Sequence, residues 1–316
     1  MRFCGILMSE KYPRERKTDM QVITELGYAK INLHLDITGR GSDGYHDVVT
    51  VMQSLSLCDA VTLSPREDRQ ITLSCNREGV PTDASNLAVR AALLYMETVG
   101  ACRGLHIDIE KNIPMAAGMA GGSADAAATL RAINRLFGSP LDRDALCAIG
   151  ARLGADVPFC IVGGSAFADG RGDRLHPFAA MPDCFVVAAC GGEGVSTPWA
   201  YRLLDETYSN FDGTRYTPRT TDVLASAMTT GDLSAVVGAM YNVFEAPILA
   251  RRPVAREIRE TMNAGGALGA MMSGSGPSVF GIFDDEARAR AVAECICAKG
   301  HFATICRPIA KVDWIA

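Results

Sequence analysis

The chain has 316 residues, enough for one large or two ordinary domains, and its 48% hydrophobic and 21% charged residues exclude wholesale disorder. A net charge of -5 argues against a nucleic-acid binder, and the lack of an 18-residue apolar stretch argues against a membrane span. Eleven cysteines, with no repeated two-residue spacing and no histidine cluster beside them, suggest neither a zinc site nor a disulfide framework. They read as reduced, buried cysteines of a cytoplasmic protein.

Residues 1–20 hold an apolar run too short for a secretory signal and then charges, so they read as a flexible extension. "ITELGYAKINLHLDIT" alternates apolar and polar residues, which predicts a half-buried strand. "GRGSDGYHD" is turn-rich, and "VVTVMQSLSLCDAVTLSP" and "RQITLSC" continue as strands. "NLAVRAALLYMETVG" has helical periodicity and stops at Gly100. "GLHIDIEKNIP" is a strand closed by Pro114. "SADAAATLRAINRLFG" and "DRDALCAIGARLG" are helical, and "FCIVGGSAFADGRGDRL" reads as strand and turn.

From about Pro182 the pattern restarts with the strand "CFVVAAC". Helices are predicted over Thr221–Ala239 and Ala246–Asn263. "LGAMMSGSGPSVFGIF" is strand, glycine turn, strand; "DEARARAVAECICAK" is helical and "FATICRPIA" strand-like. The mix predicts an α+β fold of two domains, 21–178 and 179–316, joined near residues 175–182.

Four segments carry chemistry. In "PMAAGMAGGSADAAA" (Pro114–Ala128) a strand ends and a glycine turn leads into a helix. It matches neither the common phosphate loop nor the dinucleotide fingerprint. Glycines let the backbone approach a ligand closely, and the amides of a helix start favour phosphate. Ser123 and Asp125 are suited to capping there. The alternative is a glycine-rich hinge. "MMSGSGPSVFGIF" (Met271–Phe283) sets Gly274 and Gly276 between apolar strands, with Ser273, Ser275 and Ser278 as donors to anions, or is a plain hairpin turn. Lys30 lies among apolar strand residues and needs a partner unless its edge reaches solvent. Asp156, in "LGADVPF", follows a helix end in an apolar setting, as a site residue or a turn aspartate.

Together these segments resemble the GHMP kinases. "AKINLHLDITGRGSDGYHDVVTVMQSLSLCD", "PMAAGMAGGSADAAATL", "LGADVPFCIVGGSAFADGRGD" and "MMSGSGPSVFGIF" match the family's motifs in order and spacing, from about residue 25 to residue 283. The match is closest to the member acting in non-mevalonate isoprenoid precursor synthesis. That resemblance implies a two-domain GHMP kinase fold with the active site in the interdomain cleft. It implies ATP and Mg2+, and transfer of the γ-phosphoryl to the 2-hydroxyl of a methylerythritol carrying cytidine diphosphate. It assigns Asp156 as proton acceptor and Lys30 beside it as the group that helps orient the hydroxyl. Phosphates would lie on Pro114, Met115, Ala116, Ala117, Gly118, Met119, Ala120, Gly121, Gly122, Ser123 and Ala124, with Asn86 and Lys111 in the adenosine pocket. Tyr45 and Tyr201 would stack on the cytosine, one on each side, with His46 at its edge. Asn32, Thr197, Ser273 and Gly274 would meet the acceptor's polar groups. No dedicated protein metal site is expected; the partner is this small molecule, not nucleic acid or membrane, and the enzyme is expected to be a monomer or weak homodimer.

The loop departs from the family pattern. Met119-Ala120 replaces leucine-glycine, and Ala124 stands where a second serine is common. Ala120 therefore needs an ordinary backbone conformation or it is strained. A kinase for another small alcohol is the alternative enzyme, against which the Tyr45-His46 pair argues; retention of Lys30 and Asp156 argues against a non-catalytic relative.

Overall fold

A computed structural model describes residues 21–41, 44–208 and 221–312. The predicted N-terminal extension, 1–20, lies outside the described residues. In chain order the first half contains β1 (Ile23–Arg40), β2 (His46–Arg66), β3 (Ile71–Cys75), α1 (Leu87–Val99), β4 (Gly104–Glu110), α2 (Gly121–Leu136), α3 (Arg143–Ala151), α4 (Asp156–Val162), β5 (Ser165–Asp169) and β6 (Arg174–Pro177). The second half contains β7 (Phe185–Cys190), α5 (Thr197–Thr207), α6 (Asp222–Thr230), α7 (Leu233–Ala239), β8 (Tyr241–Asn242), α8 (Glu245–Leu249), α9 (Pro253–Ala264), β9 (Gly269–Met272), β10 (Val279–Phe283), α10 (Glu286–Ala298) and β11 (Phe302–Cys306).

The strands form two sheets. The larger runs β3-β4-β2-β1-β8, with β5 pairing β2 and β6 pairing β5; the smaller runs β11-β7-β10-β9. β8 joins the larger sheet, parallel to β1, although it lies far along the chain. Its two residues leave no periodicity to detect, which is why the sequence reading passes over it.

The helix ends follow local chemistry. Asn86 caps α1 by accepting from the Ala88 amide, and Gly100 ends it in the left-handed region at φ 65°. Asp142 caps α3 through the Ala145 amide at 2.9 Å. Gly231 ends α6, so the helix predicted over Thr221–Ala239 is two, and Pro253 likewise starts a new helix within Ala246–Asn263.

β1 departs from the half-buried strand that its alternation predicts: Ala29–Leu35 are buried without interruption. Ile31 and Leu33 belong to the core between the larger sheet and α1–α4, while Leu35 and Ile37 belong to a second core shared with β7, β10 and α5. The polar residues of the alternation, Lys30, Asn32, His34 and Asp36, are therefore enclosed as well. Arg131 of α2, itself buried, donates to the Leu26 carbonyl at 2.6 Å and to the Cys160 carbonyl at 2.9 Å, tying β1 to α4. The cysteines match the expectation only in part: Cys160, Cys184 and Cys306 are buried, but Cys102, Cys295 and Cys297 are exposed.

Gly27 of β1 lies where α2 starts. A Cβ there would stand 2.6 Å from the Ala124 carbonyl oxygen, a backbone atom that cannot swing aside. Gly27→Ala is expected to destabilise the protein by about 1–3 kcal/mol in urea unfolding, the range for forced overpacking. Wild-type stability would show that β1 and α2 are not held at this spacing.

Candidate active site

A cavity of about 550 Å3 opens between the two sheets, bounded by β1, β2, the glycine loop before α2, the start of α4, the β5–β6 turn, α5 and the β9–β10 turn. Lys30, Asn32, Ala116, Ala117, Gly118, Ala120, Gly121, Gly122, Ser123, Asp156, Thr197, Tyr201 and Gly274 all line it. Residues spread over more than 240 positions are thus brought to one space. Pro114, Met115, Met119, Ala124, Asn86, Lys111, Tyr45, His46 and Ser273 are not among its lining residues.

A lysine–aspartate pair is set by β1 and α4. The Lys30 ammonium, 5% exposed, lies 3.7 Å from a carboxylate oxygen of Asp156, 40% exposed. Lys30 also donates to Asn32 Oδ1 at 2.7 Å, Asn32 Nδ2 donates to Thr50 Oγ1 at 2.8 Å, and Thr50 donates to the His34 carbonyl at 2.7 Å. This chain of donors fixes the ammonium so that it faces the carboxylate. Asp156 is the first residue of α4, not a loop residue beyond a helix, and Cys160–Val162 continue that helix instead of forming a strand. Pro158 is compatible with this because the first turn of a helix has no use for its missing N–H.

The glycine loop does lead into a helix, but not in the predicted way. The first residue of α2 is Gly121, and the cap is Ala120, left-handed at φ 57° with no side-chain cap bond. Ser123 and Asp125 are therefore not the caps. Within α2 the Ala124 amide donates to the Ala120 carbonyl at 2.9 Å, so the amides of Gly121, Gly122 and Ser123 form the helix opening onto the cavity. Ala116 is left-handed too, at φ 49°. Two alanines in this region within five residues store strain in the loop. Ala124 is fully buried against Gly27, so the absent serine hydroxyl would have pointed into packing, not into the cavity.

The second glycine turn clasps the first. Ser273 Oγ donates to the Gly118 carbonyl at 3.0 Å, and the Ser278 amide donates to the Ala117 carbonyl at 3.2 Å. At Gly118, φ 76°, a Cβ would meet the Ser273 carbonyl oxygen at 2.4 Å. The Lys30 amide closes the third side by donating to the Met119 carbonyl at 3.2 Å.

Lys111 sits beneath this loop. Its ammonium bridges Asp59 at 2.5 Å and Asp125 at 2.6 Å, all three buried, while Asp59 also accepts from the amides of Asn112 and Ile113. Burial pushes the Asp125 carboxyl above the usual carboxylate range, with Asp59 adding to the effect and Lys111 opposing it. Asn86 is likewise committed, capping α1 and donating to the Pro81 carbonyl at 2.7 Å.

At the other end His46 donates or accepts at Asp205 Oδ1 across 2.7 Å, and its ring lies 4.8 Å from that of Tyr201. Tyr201 and Asp205 are one helical turn apart on α5, and Phe244 meets Tyr201 edge-on at 4.9 Å. Tyr201 thus packs beside His46. Burial pushes its phenol up to about 12, with Asp156 adding to the rise, so it remains an O–H donor at neutral pH. Tyr45 is 60% exposed and carries the Arg171 guanidinium 4.1 Å over its ring. Thr197 lies 3.4 Å from Ser275.

Sequence reasoning missed Arg171, Asp205, Thr50 and Phe244. The one available signal was the four-residue spacing of Tyr201 and Asp205, which puts both on one helix face. Arg171, between two glycines, reads as an ordinary turn residue.

The pair, with Lys30 buried and Asp156 40% exposed, shares its cavity with a helix opening of the kind that favours phosphate. The model of the GHMP kinases N terminal domain matches residues 86–164 and that of the GHMP kinases C terminal domain residues 224–301. The chain belongs to the GHMP kinase family and is a kinase. Among its relatives, 4-diphosphocytidyl-2-C-methyl-D-erythritol kinase of Alkaliphilus metalliredigens is 44% identical over 266 residues, 84% of this chain and 89% of the relative. The enzyme of that name from Brevibacillus brevis is 44% identical over 261 residues, 82% of this chain and 87% of the relative. A crystal structure of 4-(cytidine 5'-diphospho)-2C-methyl-D-erythritol kinase aligns with TM-score 0.75 at 34% identity, over 90% of this chain and 99% of that one. Homoserine kinase of Cytophaga hutchinsonii, at 20% identity and TM-score 0.68, shares the fold.

Two predictions follow from the loop. Ala120→Gly is expected to stabilise the protein by up to roughly 1 kcal/mol, because the left-handed penalty is removed and glycine's freedom when unfolded offsets only part of it. A lowered melting temperature would contradict the left-handed cap. Lys111→Met leaves two buried carboxylates without their cation and is expected to cost about 3–5 kcal/mol in denaturant unfolding. An unchanged stability with a raised KM for ATP would instead make Lys111 a nucleotide contact.

Proposed function

We propose that the protein transfers the γ-phosphoryl group of ATP to the 2-hydroxyl of 4-diphosphocytidyl-2-C-methyl-D-erythritol, giving the 2-phosphate and ADP. The observation that carries this reading is one cavity lined by the Lys30–Asp156 pair, by a helix opening and by Tyr201, against which the His46 ring packs. Relatives of that name at 44% identity support the choice of acceptor.

The amides at the start of α2 hold the triphosphate. The missing Cβ atoms of Gly118 and Gly121 would face Ser273 and Ile113, so these glycines let the loop pack against the protein beneath it. Lys30 orients the acceptor's 2-hydroxyl and stabilises charge that builds during transfer. As the hydroxyl oxygen bonds to the γ-phosphorus, its proton passes to Asp156, and the bond from that phosphorus to the bridging oxygen breaks to release ADP. Positioning and charge stabilisation supply most of the acceleration in such a reaction. Tyr45, Tyr201 and His46 receive the cytosine, with His46 Nε2 already committed to Asp205. Base–aromatic stacking on this scale contributes roughly 1–3 kcal/mol.

Among the described residues no group of three or more histidine, cysteine or acidic side chains could hold a metal. The donor set fits a Mg2+ ion that arrives with the nucleotide, since such ions take one or two carboxylates besides phosphates and water. The Ser123 hydroxyl at the helix opening would help hold it, and it would supply charge neutralisation of the phosphates. Among the described residues no helix is long and apolar enough to cross a membrane. The same reading makes the protein a cytoplasmic enzyme, a monomer or weak homodimer, acting on this small molecule.

Asp156→Asn keeps the shape and removes the proton acceptor. It is expected to lower kcat by about 10²–10⁴-fold, with thermal stability preserved, in coupled ADP-release kinetics. Full activity in a well-folded variant would remove Asp156 from the mechanism.

A further inference from the structure

The hydrogen bonds behind Lys30 run in one direction. The ammonium donates to Asn32 Oδ1 at 2.7 Å, Asn32 Nδ2 donates to Thr50 Oγ1 at 2.8 Å, and Thr50 Oγ1 donates to the His34 carbonyl at 2.7 Å. The two ends of the chain set that direction. An ammonium only donates, and a backbone carbonyl only accepts. The amide and the hydroxyl between them can each do both. With its proton given to the His34 carbonyl, the Thr50 hydroxyl offers a lone pair to the asparagine NH2. That leaves the Asn32 carbonyl oxygen, not its NH2, toward the ammonium.

The two ends of an asparagine amide have nearly the same shape, so packing alone does not select one flip over the other; its hydrogen-bond partners do. Lys30, Asn32 and Thr50 are all buried, so a lost partner here is not replaced cheaply. Thr50 lies on β2 opposite Leu35, just past a register shift of β1 between Asn32 and His34. Irregularities of this kind re-aim side chains beside active sites. Thr50 also lines the cavity together with Lys30, Asn32 and Asp156.

We propose that Thr50 is a positioning residue for phosphoryl transfer: its hydroxyl selects the flip of the Asn32 amide that accepts from Lys30, and so holds the ammonium toward Asp156. It acts through Asn32 and Lys30, not by contact with the reacting atoms. This rests on the reading given above, in which Lys30 orients the acceptor's hydroxyl. Without the Thr50 hydroxyl, nothing in the chain opposes the flip that turns the asparagine NH2 on the ammonium, donor against donor.

The test compares the full-length wild type with Thr50→Val and Thr50→Ser by steady-state kinetics, thermal unfolding and proton–nitrogen NMR of the asparagine side-chain amides. Valine keeps the branched shape and removes the hydroxyl; serine keeps the hydroxyl. Thr50→Val is expected to lower kcat on the order of 10–100-fold, the scale of a misplaced orienting group, with the KM of ATP within about twofold and Thr50→Ser within about threefold of wild type in kcat. If Thr50→Val does not fold, Thr50→Cys, a weak donor and acceptor, takes its place with the same expected direction. Wild-type kcat in the folded variant would overturn the proposal, even where its melting temperature falls. Equal losses in Thr50→Ser and Thr50→Val would overturn it too, because the hydroxyl would then not be the active group. A rise in KM alone would make Thr50 part of the binding surface instead. The NMR readout needs no acceptor. The Asn32 amide is expected to be protected from hydrogen exchange in wild type and Thr50→Ser, and to lose that protection in Thr50→Val. An Asn32 signal unchanged in Thr50→Val would overturn the proposal whatever the kinetics. The expected NMR change, beside wild-type protein that does not turn over the acceptor, would sink the acceptor reading and leave the control of Asn32 by Thr50 standing.

Discussion

The candidate active site depends on an ammonium group enclosed on β1, between β2 and β8. Taking a lysine out of water is costly unless polar groups meet it. Lys30 is met on one side by Asn32, itself held by Thr50, and on the other by Asp156. Both partners must be delivered to it. Asn32 comes along the same strand, two residues on, while Asp156 comes from α4, which Arg131 ties to β1 through two carbonyls. Asp156 keeps far more exposure than Lys30, so the carboxylate opens on the cavity while the ammonium stays behind it. A pair arranged in this way presents a base to a ligand and keeps its cation from being displaced by water.

The glycine loop depends on a different kind of interaction, contacts onto its backbone. The loop before α2 is held by the Ser273 and Ser278 contacts and by the Lys30 amide, each closing on a loop carbonyl. With its carbonyls occupied, the loop turns amides toward the cavity. The left-handed alanines at 116 and 120 persist because this clasp over-determines the path of the chain. Below it, Lys111 bridges Asp59 and Asp125 to form a buried ionic floor. The two glycine-rich stretches are therefore one object, and neither would hold its shape without the other.

Much of this was legible in the sequence, for physical reasons. α1 and α3 have caps and apolar periodicity that act locally, and both were found where the pattern puts them. The glycine turns and the strands around them follow from residues that few other conformations accept. Lys30 and Asp156 stood out because charge among apolar residues demands a partner. What failed was decided by tertiary contacts. The alternation of β1 predicts one wet face, but a second core closes over it. Lys111 matches a nucleotide position in the resemblance, yet lies in an ion-pair floor that only the packing of β2, β4 and α2 creates. Arg171 lacked any local mark, since its contact with Tyr45 joins residues more than a hundred positions apart. The capping role given to Ser123 and Asp125 failed because the helix begins two residues earlier, on glycines the pattern assigns to the turn.

The central claim is the identity of the phosphorylated oxygen. Phosphorus NMR of 4-diphosphocytidyl-2-C-methyl-D-erythritol incubated with the wild-type protein, ATP and Mg2+ tests it most directly. The account predicts one new phosphomonoester signal coupled to the 2-position of the methylerythritol, with ADP formed in equal amount and the diphosphate bridge intact. An unchanged acceptor beside well-folded protein, or phosphate transferred instead to homoserine or mevalonate, would contradict it.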